Sequence, residues 1–325
     1  MKISRITIWG HPLKLKQPFG LSGGRIVTAL ETTIVRVEAN NGVTGWGESC
    51  PWGSDYLPAF PEAVRAGLTV LAPDLIGRDP ANLSDINAFV NQRLHNQPSV
   101  LTAIDMACVD LAARKANMPA CQFLGGRRGE TVPLPGGIGQ TPGPEMEKRM
   151  ADWRARGVKQ MSAKASGNVD ENVALVQFVL ERLEPGEFMK LDANGGWRLD
   201  DAMRIADVMD GRVWVEQPCG SYAECLTFAR RSGRAIYLDE IVTGAEDILR
   251  AHADGILAGV NLKVARFGGL TRTRLMRDLM TELGLPFFIQ DAGGSALARA
   301  AIVHLATGAP PRLLNGVWDC ATILT

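Results

Sequence analysis

MKLDAN (residues 189–194), WVEQP (214–218), YLDE (237–240) and VNLKVA (260–265) are four short apolar runs that each end in charge. Their terminal residues, Asp192, Glu216, Asp239 and Lys263, follow one another at intervals of 24, 23 and 24. A strand, a turn, a helix and a second turn fill such an interval, so the period reads as repeated βα units. Working outward, strand-like runs are expected at 131–136, 159–165, 187–191, 213–216, 236–238, 255–264, 286–289 and 312–318. Helical patterns at 142–156, 170–183, 199–209, 221–232, 244–252, 270–283 and 295–307 separate them. Eight strands and seven helices predict a (β/α)8-type TIM barrel that ends at its eighth strand, as (β/α)7β, in preference to a doubly wound sheet. The outer face beside its first and eighth strands then lacks a covering helix, which predicts association into a homo-oligomer.

In a barrel the four charges stand at the carboxyl ends of their strands, where active-site groups converge. Asp192, Glu216 and Asp239 come from the third, fourth and fifth strands. Together they offer an all-oxygen donor set for a hard ion, Mg²⁺, and without a cation three such carboxylates repel. The competing reading is that charge merely terminates buried strands. Lys164, ending the second run, and Lys263, ending the sixth, would face each other across the barrel mouth. Lysines beside a divalent ion are expected to have depressed pKa values, as a general base near neutral pH requires. The pair therefore points to proton abstraction beside a carboxylate. Asn194 and Asn261 are candidates to orient the metal carboxylates.

The chain before the barrel is different in texture. Lys2 to Trp9 alternates, and Leu30 to Glu38, Asn40-Asn41-Gly42 and Val43 to Gly47 read as strand, turn, strand. Helices are expected at 62–73, 84–95 and 99–115, and Gly125-Gly126-Arg127-Arg128-Gly129 marks a boundary. The reading is an α+β capping domain over 1–125 and a barrel domain over 126–325. With 35 basic and 35 acidic residues there is no net field to collect nucleic acid or anionic lipid. The opening MKISRITIWGHPLKLKQ lacks the apolar core of a signal peptide and of a membrane span, so a cytoplasmic protein is expected. Six cysteines without a CxxC pair are expected to be reduced. His11, His95, His252 and His304 show no zinc-binding spacing. Gly268-Gly269 and Gly293-Gly294 match no complete phosphate-binding fingerprint and read as places of close approach.

LDANGGW, VEQP, YLDE and NLKVARFGG in this order, behind such an N-terminal segment, resemble the enolase superfamily, and within it the muconate lactonizing enzyme subgroup. The resemblance covers essentially the whole chain. It implies one Mg²⁺ on the residues matching Asp192, Glu216 and Asp239, and acid/base chemistry on Lys164 and Lys263. A departure lies in MSAKASG (161–167), where many members carry two lysines one residue apart and this chain has Ser162 before Lys164. SGGR (22–25), ESCPWGSDYLPAF (48–60) and GVW (316–318) are similar to members that act on proline derivatives, by dehydrating cis-3-hydroxy-L-proline or epimerising proline and hydroxyproline betaines. The expected partner is thus a small carboxylate-bearing cyclic amino acid or betaine. Tyr56 and Trp318 would offer aromatic faces to a ring or cationic nitrogen, and Asp291 would neutralise an ammonium. The structural alternatives are core aromatics and a polar turn. A further alternative is a noncatalytic barrel with a binding or structural role, since relatives extend roughly another helix beyond Thr325.

Overall fold

The computed structural model describes residues 1–20, 26–53, 58–291 and 293–325. Three antiparallel strands, β1 (Ile3–Gly20), β2 (Ile26–Ala39) and β3 (Thr44–Ser49), form one sheet in the order β1-β2-β3. β1 runs on past its alternating start through Pro12 and Pro18. It lies at the sheet edge, where a missing N–H costs no ladder bond. Helices α1 (Pro61–Leu75), α2 (Leu83–Arg93), α3 (Pro98–Lys115) and the short α4 (Ala120–Phe123) follow. Val35 and Val37 pack with Leu68, Leu71, Ile104 and Leu111 in a core of their own.

α3 is packed between the two halves of the molecule. It is buried along almost its whole length, because one side meets the sheet and the other meets the barrel. Gly45 and Gly47 allow the first contact: a Cβ on either would collide with the α3 backbone at Ala107 or Ala103. On the second side, Asp105 Oδ2 accepts from Thr271 N at 3.0 Å, and Thr102 Oγ1 donates to Val264 O at 3.4 Å.

The second sheet has eight parallel strands in chain order: β4 (Gly136–Gly139), β5 (Gln160–Lys164), β6 (Phe188–Asp192), β7 (Val213–Glu216), β8 (Ile236–Leu238), β9 (Leu257–Lys263), β10 (Phe287–Gln290) and β11 (Leu314–Val317). Outer helices are α5 (Pro144–Ala155), α6 (Val169–Leu180), α7 (Leu199–Ala206), α8 (Tyr222–Ser232), α9 (Ala245–Ala253), α11 (Leu270–Glu282) and α12 (Ala296–Ala306), with a four-residue α10 (Val264–Phe267) directly after β9. The last strand meets the segment leading into the first, where Val317 N donates to Pro133 O at 3.0 Å. This is the expected succession, with one correction in position. The first barrel strand begins at Gly136 and not at 131, since Pro133 and Pro135 supply no N–H to a ladder. After β11 a 3₁₀ turn (Cys320–Ile323) leads back to β1, where Leu324 bridges Leu15 and Thr325 N donates to Lys14 O at 3.0 Å.

Candidate active site at the barrel mouth

Strand alternation decides which side chains enter the barrel. Lys164 pairs in register with Asp192, and Asp192 with Glu216. The carboxyl end thus gathers charge on consecutive strands, and the same parity sends Lys190, Trp214, Tyr237, Asn261 and Phe288 inward one layer deeper. A cavity of about 690 Å³ opens above them. Lys164, Asp192, Glu216, Lys263, Asp291 and Trp318 line it from the barrel, and Lys16 to Gly20 with Trp52 line it from the cap. Asp239 is fully buried behind Lys263 and Arg266 and does not reach the cavity surface.

Each carboxylate is turned to a cation. Lys164 Nζ pairs with Asp192 Oδ2 and donates to Asn194 Oδ1 at 3.1 Å, while Asn194 N donates to Asp192 Oδ1 at 2.9 Å. Lys190 Nζ pairs with Glu216 Oε2, and Asn261 Nδ2 donates to Glu216 Oε1. Asp239 accepts from Lys263 Nζ and from Arg266 Nη1, both at 2.6 Å. Asn194 also reaches Glu240 Oε1 at 2.9 Å. Asn194 and Gln217, which follow β6 and β7, both have positive φ, +46° and +40°. Non-glycine residues in this conformation carry strain, which concentrates where loops present functional groups.

Burial and the negative charges of Asp192 and Asp239 push the Glu216 carboxyl up to about 8, with Lys190 opposing them. Burial also raises Glu240, with Asp239 adding to it. Asp239 goes the other way: burial would raise it, but Arg266 and Lys263 outweigh burial and hold it well below the usual carboxylate range. Lys263 is shifted upward by its carboxylate neighbours: burial acts to lower it, yet Asp239 and Glu240 overcome that effect. A depressed value requires a cation that takes Asp239's charge from it.

Among the described residues no three metal-type ligands are drawn together around one point. The chemistry of the set nevertheless fits a hard divalent ion. The donors are all carboxylate oxygens, and the repulsion that adds to burial in raising Glu216 is what a cation beside Asp192 and Glu216 would remove. Asn194 and Asn261 do touch the carboxylates they were expected to orient.

The aromatic expectations divide. Tyr56 lies outside the described residues. Trp318 is half-buried, packs against Trp52 and Phe19 with ring centroids 5.9 and 6.5 Å away, and forms part of the cavity wall. It is thus both a packing residue and an exposed face. Asp291 is buried, lines the cavity and accepts weakly from Ala265 N at 3.4 Å. Sequence reading missed Lys190, Arg266, Glu240 and Gln290. The parity of Lys190 with Asp192, and of Gln290 with Phe288, was the available signal.

Residues 4–125 match the mandelate racemase / muconate lactonizing enzyme N-terminal domain, and residues 145–322 match the family described as enolase C-terminal domain-like. The chain belongs to the enolase superfamily. It is an enzyme of that superfamily with the N-terminal capping domain of the mandelate racemase and muconate lactonizing enzyme group. It is 34% identical to a cis-3-hydroxy-L-proline dehydratase of Roseibium aggregatum over 98% of this chain and 88% of the relative. A hydrophobic dipeptide epimerase of Enterococcus faecalis is 26% identical, over 94% of this chain and 87% of the relative. A magnesium-complexed enolase superfamily member from Roseovarius nubinhibens superposes with a TM-score of 0.93 at 35% identity, covering all of this chain and 88% of the other. Among the described residues no helix is long and apolar enough to cross a membrane.

Proposed function

We propose that this enzyme dehydrates cis-3-hydroxy-L-proline, or a very similar cyclic amino acid, to 1-pyrroline-2-carboxylate. The observation that carries the reading is the placement of Lys164 and Lys263 on β5 and β9, four strands apart in an eight-strand barrel, both lining one cavity. The dehydratase of Roseibium aggregatum supports the choice of substrate. Asp192, Glu216 and Asp239 would hold Mg²⁺. Its chemistry there is to neutralise the substrate carboxylate and the charge that develops on it when the α-proton leaves.

The residues of the chain do the rest. One of the two lysines, neutral, takes the α-proton of the ring. The electron pair left behind forms the double bond to the β-carbon as the 3-hydroxyl departs, and the opposite lysine, protonated, gives the hydroxyl a proton so that it leaves as water. Tautomerisation of the resulting enamine yields the pyrroline. Asp291 would face the ring ammonium, and Trp318 would cover the ring or its cationic nitrogen.

The same placement favours a second reading. With lysines on two sides of the cavity, a substrate lacking a suitable 3-hydroxyl is reprotonated from the opposite face, which is 2-epimerisation of proline betaine, hydroxyproline betaine or a related amino acid. Incubation with each compound in deuterated water, with and without Mg²⁺, followed by NMR, separates the two: pyrroline formation marks the dehydratase, and deuterium incorporation with inversion marks the epimerase. Absence of α-proton exchange with every proline analogue overturns the substrate class. Exchange that persists in the Lys164→Ala, Lys263→Ala double variant overturns the assigned bases.

A further inference from the structure

Lys190 takes no part in the reaction just described, yet it is among the most enclosed charges of the barrel, 3% exposed at the floor of the cavity. It stands two residues before Asp192 and therefore shares its inward face. Its ammonium has two kinds of neighbour. One is the Glu216 carboxylate, and the other is the face of Phe288, whose centroid lies 4.1 Å away. Phe288 ends a row of aromatic rings, Phe188 to Trp214 at 4.0 Å, Trp214 stacked on Tyr237 at 5.3 Å and Tyr237 edge-on to Phe288 at 5.6 Å. Gly259 leaves room for that row, since a Cβ there would collide with the Tyr237 ring. The floor is therefore largely aromatic around Lys190, with Ser162 and Asn261 as its neutral polar neighbours.

A cation buried this way returns little to folding, because desolvation offsets its attraction to a carboxylate, and an apolar side chain of the same shape would pack as well. Its place is better explained from the carboxylate's side. Glu216 is held at both oxygens, by Lys190 on one and by Asn261 on the other, so its plane is fixed between its neighbours. The adjoining strand offers an alternative seat for the same charge. Ser162 is the register partner of Lys190 on β5, points inward and lines the same cavity.

We propose that Lys190 is a positioning residue for Glu216: a fixed positive charge on the cavity floor that holds this carboxylate ready for the metal, and that position 162 can carry in its stead. This rests on the reading of Glu216 as a magnesium ligand, and not on the identity of the substrate. Calorimetric titration of Mg²⁺ into the substrate-free protein tests it. Lys190→Met should weaken Mg²⁺ binding at least tenfold, Lys190→Arg should stay within a few-fold of the parent, and the double variant Ser162→Lys, Lys190→Met should recover most of the loss. Mg²⁺ binding as tight or tighter in Lys190→Met overturns the proposal, since Lys190 is then only a competitor for the carboxylate. So does a double variant no better than the single one. If Lys190→Met fails to fold, Lys190→Gln against Lys190→Arg makes the same comparison. Proline analogues that show no turnover, beside a Lys190 series that behaves as stated, overturn the substrate and leave this inference standing. A parent protein that binds no Mg²⁺ overturns the inference together with the metal assignment.

Discussion

Two sets of buried carboxylates, one at the joint between cap and barrel and one at the barrel mouth, solve the same electrostatic problem with different partners. At the joint, Glu48 on β3 accepts from Ser295 N and Oγ at 2.8 Å and from Ala298 N at 2.9 Å, the first turn of α12, and from Thr32 Oγ1 at 2.7 Å. Asp105 on α3 meets the start of α11 in the same manner and accepts from Asn87 Nδ2 at 2.8 Å. At the mouth, Asp192, Glu216 and Asp239 are met by lysines and an arginine. Backbone N–H groups at a helix start cannot move away, and their favourable dipole is permanent. The ammonium groups of Lys164 and Lys263, on flexible stems at the cavity wall, can swing aside and leave their carboxylates to another cation, whereas Lys190 stays seated on the floor. The first arrangement fastens two domains; the second keeps a site exchangeable.

The comparison is broken most severely by neutralising the mouth. Asp192→Asn should slow α-proton exchange by about 10³-fold with little change in melting temperature, because its partner Lys164 is partly exposed and can turn to water. A variant that loses activity and stability together would place this carboxylate with the structural set. At the joint the opposite outcome is expected. Glu48→Ala orphans the N–H groups of Ser295 and Ala298 and should lower unfolding free energy by about 2–4 kcal/mol in a denaturant titration.

The smallest effect belongs to Asp105→Asn, at most about 1 kcal/mol at neutral pH. The amide oxygen still accepts from Thr271 N, and the Asn87 amide can turn its carbonyl oxygen, which has no hydrogen-bond partner among the described residues, toward the new NH₂ group. This substitution also sharpens the electrostatics. Burial raises Asp105 above its ordinary 3.8, against hydrogen bonds from Thr271 and Asn87. The folded state therefore holds this proton more tightly than the unfolded state. Its stabilising contribution is complete below the unfolded value and is lost as pH climbs through the raised one. Stability measured from pH 4 to 7 should fall less steeply in Asp105→Asn than in the parent; equal slopes would mean that Asp105 carries its charge without cost.

Most of the barrel was legible because period and polarity agreed: the runs ending at Asp192, Glu216 and Asp239 lie within two residues of β6, β7 and β8. Legibility failed where local and tertiary signals differ. Pro12 and Pro18 hid the length of β1, because an edge strand tolerates what a central one does not. α10 is too short to show a helical period. In the site, charges at strand ends could be found one by one, but Lys190 sits inside an apolar run and reads as an interruption of it. Glu48 and Asp105 carried no signal of their role at the joint, since their partners across it are 247 and 166 residues away in the chain.

The return of Leu324 and Thr325 to Leu15 and Lys14 also sets an order of events. The strand that presents Lys16 to Gly20 to the cavity leaves a ribosome well before its partner, since Thr325, which bonds Lys14, comes 311 residues later. At usual elongation speeds that interval is roughly 15–60 s. The barrel strands can align during it, but the cavity wall cannot be finished. A nascent chain therefore acquires its scaffold before it can close the wall of its cavity.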